Sequence, residues 1–157
     1  MKATMLFVLA LVGLLVAGCL HTDTSDSFDK NWVTSADSES KTKFVAHQAA
    51  SGRGLVLGCV GSMPVVYVRV PGIDASAGNP RPVEWQIDGD DPVKEIWIDD
   101  PENPHGFLVS GDEAVALFGK LQSAEKFTIW TDATGHASFE LSDFPMAVTK
   151  VREMCRV

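Results

Sequence analysis

Period-two alternation in short runs, broken by Gly and Pro, recurs from Lys41 to Leu141 and constrains this chain more than any other feature. Alternation sends successive side chains to opposite faces, so each run reads as a half-buried strand. The runs are Lys41–His47, Leu55–Cys59, Val65–Val70, Val83–Ile87, Glu95–Ile98, Phe107–Val109, Lys126–Trp130 and Ala137–Leu141. Phe44 and Ala46 share one face of the first run, and Leu55, Leu57 and Cys59 share one face of the second. Val83, Trp85 and Ile87 alternate with Glu84, Gln86 and Asp88, the pattern of a strand with one dry and one wet face. Gly61-Ser-Met-Pro64 between the second and third runs suits a hairpin turn.

Two segments switch to helical spacing. Ser110-Gly-Asp-Glu113 has the form of a capping box, in which the serine hydroxyl and the glutamate carboxylate would each accept from the other's backbone N–H. Behind it, Ala114, Leu117, Phe118 and Leu121 line one face. The second helix begins near Asp143, a possible cap, with Pro145 in its first turn. Phe144, Val148, Val151 and Cys155 then follow at spacings of four, three and four. The expected fold class is α+β: an antiparallel, sandwich-like sheet with a mid-chain helix and a C-terminal helix against it.

At 157 residues the chain is one domain's worth, and its 45% hydrophobic content can bury a core. Thirteen Lys and Arg stand against 21 Asp and Glu, a net charge of −8 that disfavours nucleic acid as a partner. Lys2 precedes a run from Ala3 to Ala17 that is apolar apart from Thr4 and the small Gly13, the form of a secretory leader. It is short for a spanning helix, which needs about 20 apolar residues. Val16-Ala-Gly-Cys19 at its end resembles a bacterial lipobox. That resemblance implies cleavage before Cys19 and lipidation of Cys19. An ordinary secreted protein cut after Gly18 and an uncleaved anchor are the other readings. Leu20, and not Asp, follows the cysteine, which by analogy with enterobacterial lipoproteins directs the protein to the outer membrane, facing the periplasm. The expected organisation is a signal peptide over 1–18, a lipidated tether over 19–30 and a periplasmic domain over 31–157.

With Cys19 taken by lipid, Cys59 and Cys155 form an even pair in an oxidising compartment, which reads as a disulfide. Both fall on the apolar faces derived above. The alternative, a nucleophilic Cys59, lacks a charged neighbour to lower its pKa: Leu57, Gly58, Val60 and Gly61 are uncharged.

The densest acidic stretch holds Asp88, Asp90, Asp91, Glu95, Asp99, Asp100 and Glu102 against Lys94. It lacks the spacing of a calcium loop, so it is expected to act as a docking face for a basic partner through charge. The four histidines have no metal-site spacing, and Ser62 lacks a nucleophile elbow. No metal or cofactor is expected, and no enzyme activity. Among the aromatics Trp130 is singled out. Phe127 and Ile129 take the other face of its strand, so its indole would face solvent.

The residue order from Trp32 onward resembles the periplasmic accessory proteins of type VI secretion clusters, the VasI-like family. The matching motifs are Trp32, Leu55-Val-Leu-Gly-Cys59, Val66-Tyr67-Val68, Trp85-Gln-Ile-Asp88, Trp97, the 110–121 helix, Phe139-Glu-Leu-Ser-Asp143 and Arg152-Glu-Met-Cys155. The pattern departs at Gln86 and Gly58. The resemblance implies a disulfide-bonded periplasmic domain that serves an envelope machine. The functional expectation is a lipid-anchored, non-enzymatic module that binds another, basic envelope protein while its lipid sits in the membrane. The alternative is an acidic lipoprotein inhibitor of a cationic periplasmic enzyme such as lysozyme.

Overall fold

The computed structural model describes residues 24–29, 32–37, 42–48, 52–73, 78–100, 105–131, 135–141 and 144–156. Among these, ten strands build one sheet. They are β1 (Thr24–Asp29), β2 (Trp32–Asp37), β3 (Thr42–Gln48), β4 (Gly54–Val60), β5 (Met63–Arg69), β6 (Pro80–Ile87), β7 (Val93–Asp99), β8 (Gly106–Ser110), β9 (Lys126–Thr131) and β10 (His136–Glu140). Helix α1 spans Asp112–Leu121 and α2 spans Phe144–Cys155. The strand order is β1-β2-β3-β4-β5-β8-β7-β6-β9-β10, and every neighbouring pair is antiparallel. The antiparallel sheet with a mid-chain and a C-terminal helix, expected from alternation, is the fold that forms.

The inner face carries the main core. Val45, Leu55, Leu57, Val66, Val68, Trp85, Trp97, Phe107, Ile129 and Phe139 are buried there with the apolar stripes of both helices. Each aliphatic or aromatic side chain fully removed from water stabilises the fold by about 1.5–3 kcal/mol. Helix α1 packs on β5 and β8, and α2 packs on β3, β4 and α1. A twisted sheet of this width tends to curl. The curl is visible where His47 of β3 meets the ring of Phe139 on β10, with centroids 6.1 Å apart and planes nearly perpendicular. A second cluster lies on the opposite face: Phe44, Ala46, Val56, Val60, Val65, Tyr67 and Leu108. Phe44 and Ala46 therefore share a face, as alternation requires, but it is the outer one.

Local details follow from backbone chemistry. Gly61 and Ser62 alone link the paired residues Val60 and Met63, and Gly61 takes a φ of 60°, the left-handed geometry that tight hairpins need. The capping box expected at Ser110 does not form. Ser110 ends β8 in register with Val65, and the Gly111 N–H donates to the Pro64 carbonyl. Helix α1 thus starts from Gly111 without a side-chain cap, and Asp112 and Glu113 instead complement the dipole of its first turn. Asp143, the cap expected for α2, lies outside the described residues, while Phe144, Val148, Val151 and Cys155 are buried as their spacing requires. Thr24–Asp29, read from sequence as part of the tether, is the edge strand β1, hydrogen-bonded along β2. Its polar residues satisfy a backbone ladder without contributing a hydropathy signal.

Cys59 and Cys155 form a disulfide, with Cα atoms 5.7 Å apart. It ties the last turn of α2 to β4, 96 residues earlier in the chain.

Candidate functional site

The six described carboxylates of the acidic stretch do not make one face. Asp88, Asp90 and Asp91 precede β7, Glu95 lies within it, and Asp99 and Asp100 stand at its far end; the strand rises about 3.4 Å per residue and so separates its ends by about 20 Å.

At the β6–β7 turn, Asp90 and Asp91 are exposed. Asp88 is also exposed but is committed: its Oδ1 accepts from the backbone N–H groups of Glu125 at 2.9 Å and Lys126 at 2.7 Å. It holds a φ of 51°, a conformation that Asp tolerates better than most residues. Gln86 braces the turn from below, with Nε2 donating to the Asp90 carbonyl at 2.6 Å. The turn is therefore a fixed acidic tip, widened by the exposed Glu125.

Along the strand the carboxylates turn inward. Glu95 is half-buried and accepts from the Trp97 indole at 3.1 Å. Asp99 is buried on the same inner face, clamped by Arg81. The Arg81 Nε donates to one carboxylate oxygen, and Nη2 donates to the other at 3.0 Å. Two parallel N–H donors on one carboxylate are the strong geometry for this pair. Asp100 is 1% exposed, and its backbone N–H donates to the Gly106 carbonyl. Its carboxylate acts on Tyr67, which is fully buried. Burial first, and the Asp100 charge second, push the Tyr67 phenol well above its ordinary value, with the Arg69 charge acting the other way. Glu102 lies outside the described residues. The expectation of one seven-carboxylate docking face is thus corrected. Asp99 belongs to the interior because the alternation that buries Trp97 also carries it inward, to a buried arginine, and Asp100, one position on, is buried as well.

Trp130 sits where alternation places it, on the outer face and half-buried, in cross-strand register with Glu84 on one side and His136 on the other. Glu84 is in turn in register with Lys94. Beside this row, Pro82 pairs in register with Ile96, whose side chain is 60% exposed. Trp130, Glu84, Lys94, Pro82 and Ile96 border a recess of about 540 Å³. Ile96 and Pro82 were not foreseen as surface features. Their signal is present in the sequence, since Lys94, Ile96 and Ile98 alternate with Glu95, Trp97 and Asp99.

Cys19 lies outside the described residues. Among the described residues, no group of three or more His, Cys, Asp or Glu side chains is placed to hold a metal, and no helix is long and apolar enough to cross a membrane. Comparison with known proteins brings no match: neither a family model, nor a curated protein, nor a solved structure matches this chain.

Proposed function

We propose that this protein is a lipid-anchored docking module of the bacterial cell envelope, held by acylated Cys19 in the outer membrane with its folded domain in the periplasm. Its partner is a basic envelope protein, and its role is that of an accessory to an envelope machine of the type VI secretion kind or of an envelope modulator. The reading draws on the leader ending in Val16-Ala-Gly-Cys19 and on the Cys59–Cys155 disulfide, which suits an oxidising compartment. The resemblance to VasI-like proteins agrees with it.

The observation that carries the docking role is the β6–β7 tip. Asp90 and Asp91 are exposed there on a turn whose backbone is fixed by Asp88 and Gln86. Rigid surface charge raises the encounter rate with an oppositely charged partner and adds little to the stability of the fold.

The test is in-cell photocrosslinking in the full-length lipoprotein. A photoreactive residue at position 91 is expected to capture one discrete envelope protein of basic charge, with capture falling as salt rises. The same residue at exposed position 150 on α2 is the control. Equal capture at both positions, or capture indifferent to salt, refutes the docking role. Unchanged acyl labelling of a Cys19→Ser variant refutes the anchor. If the captured protein is a cationic muramidase, direct inhibition of that enzyme is the follow-up measurement.

A further inference from the structure

We propose that the outer recess bordered by Pro82, Glu84, Lys94, Ile96 and Trp130 is a binding subsite for a neutral, N-acetylated pyranose chain. The inference goes beyond the docking role, which uses the hairpin tip, and does not depend on it.

The floor and walls supply the apolar half of the match. Trp130 presents its indole on the outer face of β9, and Ile96 and Pro82 stand beside it. An aromatic face is a flat, polarisable surface with a negative potential, suited to the C–H-rich face of a sugar ring. An aliphatic corner such as Ile96 with Pro82 suits the methyl group of an acetamide. At about 540 Å³ the recess lies within the range of small-molecule sites, about 300–1,000 Å³.

The polar half decides the class of ligand. The rim carries one carboxylate, Glu84, and one ammonium, Lys94, 3.8 Å apart with side chains 41% and 83% exposed. Both are in water and loosely coupled, so both can turn toward a ligand. Glu95 also borders the recess, but its carboxylate is engaged by the Trp97 indole. A cationic side chain of a partner would meet Lys94, and an anionic one would meet Glu84. A neutral ligand rich in hydroxyl and amide groups satisfies both, donating to Glu84 and accepting from Lys94. Lys94, Glu84 and Trp130 lie in register across three strands, about 10 Å end to end, so the ligand is a chain of rings and not a single sugar.

The test uses the full-length lipoprotein in a zwitterionic detergent free of sugar head groups, with 15N-labelled indoles followed by NMR. Chitotetraose is the N-acetylated probe and maltotetraose the probe without acetamide. Chitotetraose is expected to shift the Trp130 indole saturably, with a Kd of roughly 0.1–1 mM, while the buried Trp85 and Trp97 indoles stay in place. Maltotetraose should bind about fivefold more weakly or worse, for lack of the acetamide contact. Trp130→Ala should weaken chitotetraose binding at least about tenfold. Should that variant fold poorly, Ile96→Ser, at an exposed position, carries the same test and should weaken binding several-fold. Because the ligand is neutral, affinity should be unchanged between about 0.05 and 0.5 M salt. A Trp130 indole unmoved at about 10 mM chitotetraose overturns the subsite. Equal binding of the two probes overturns the N-acetyl assignment, and loss of binding in salt overturns the neutral-ligand argument. None of these outcomes touches the docking role, which is read at positions 90 and 91.

Discussion

Arg81 on β6 and Asp99 on β7 are diagonal cross-strand neighbours on the inner face of the sheet, and the guanidinium meets both oxygens of the carboxylate. Each charge is buried, and the pairing offsets part of the solvation that each left behind. The pair sits at the far end of β7 from the exposed acidic turn. It turns one of the most polar stretches of the chain into two regions with opposite roles: a solvated tip at Asp90 and Asp91, and an interior clamp at Asp99.

Removing one partner of the clamp should cost far more than removing both. Arg81→Met is expected to lower stability by about 3–5 kcal/mol, because the buried Asp99 carboxylate then loses the guanidinium that meets both of its oxygens. The double variant Arg81→Met with Asp99→Leu should regain most of that loss. Urea unfolding with the disulfide intact measures both. Equal losses in the single and double variants would show that the ion pair is not the source.

The Cys59–Cys155 bond should dominate the stability of the domain. It closes a loop across a sequence separation of 96, for which the chain-entropy model gives about 4–5 kcal/mol. A Cys19→Ser protein unfolded without reductant should show no titratable thiol, and Cys59→Ser with Cys155→Ser should unfold at markedly lower urea. Two thiols in the unreduced protein would contradict the bond.

At the tip, Asp90→Asn with Asp91→Asn should leave urea stability nearly unchanged and slow association with the captured partner several-fold at low salt. The difference should vanish at about 0.5 M salt, where the screening length has fallen well below 10 Å. Asp88 is left intact in this test because its carboxylate holds the Glu125 and Lys126 amides. Unaltered association at low salt would reduce the tip to a solvated turn.

Tyr67 is the single tyrosine of the chain, so its ionisation can be followed alone by ultraviolet absorbance. Burial and Asp100 raise its pKa in the folded state above the unfolded value of about 10. The folded state therefore holds the phenolic proton more tightly. Its contribution to stability is fully present below pH of about 10 and is lost as pH rises beyond that value. The absorbance of phenolate should appear together with unfolding and not before it. Tyr67→Phe should show a shallower loss of stability on the alkaline side. A native-state phenolate signal near pH 10 would contradict the buried placement.

Period-two alternation by itself determined the eight strands from β3 to β10, the inward row of Trp85, Trp97, Ile129 and Phe139, and the outward place of Trp130. Helical spacing did the same for Leu117 and Phe118 and for Val148 and Val151. These are local properties: a residue's face follows from its neighbours one, two, three or four positions away. Which faces are covered, and by what, is not local. Asp90 and Asp99 are the same residue type within one acidic run, yet Asp99 alone meets Arg81, because strand pairing sets two distant segments in register. Ser110 had a partner in Glu113 by sequence, but pairing with Val65 claimed its backbone for the sheet. Thr24–Asp29 carries no alternation of hydropathy to mark it, and it is a strand through the backbone bonds that β2 supplies. The meeting of Cys59 with Cys155, foreseeable as a pairing by elimination, acquired its place only when α2 packed across β3 and β4. Tertiary structure decided these features because each depends on a contact between segments far apart in the chain, where local residue patterns carry no information about register.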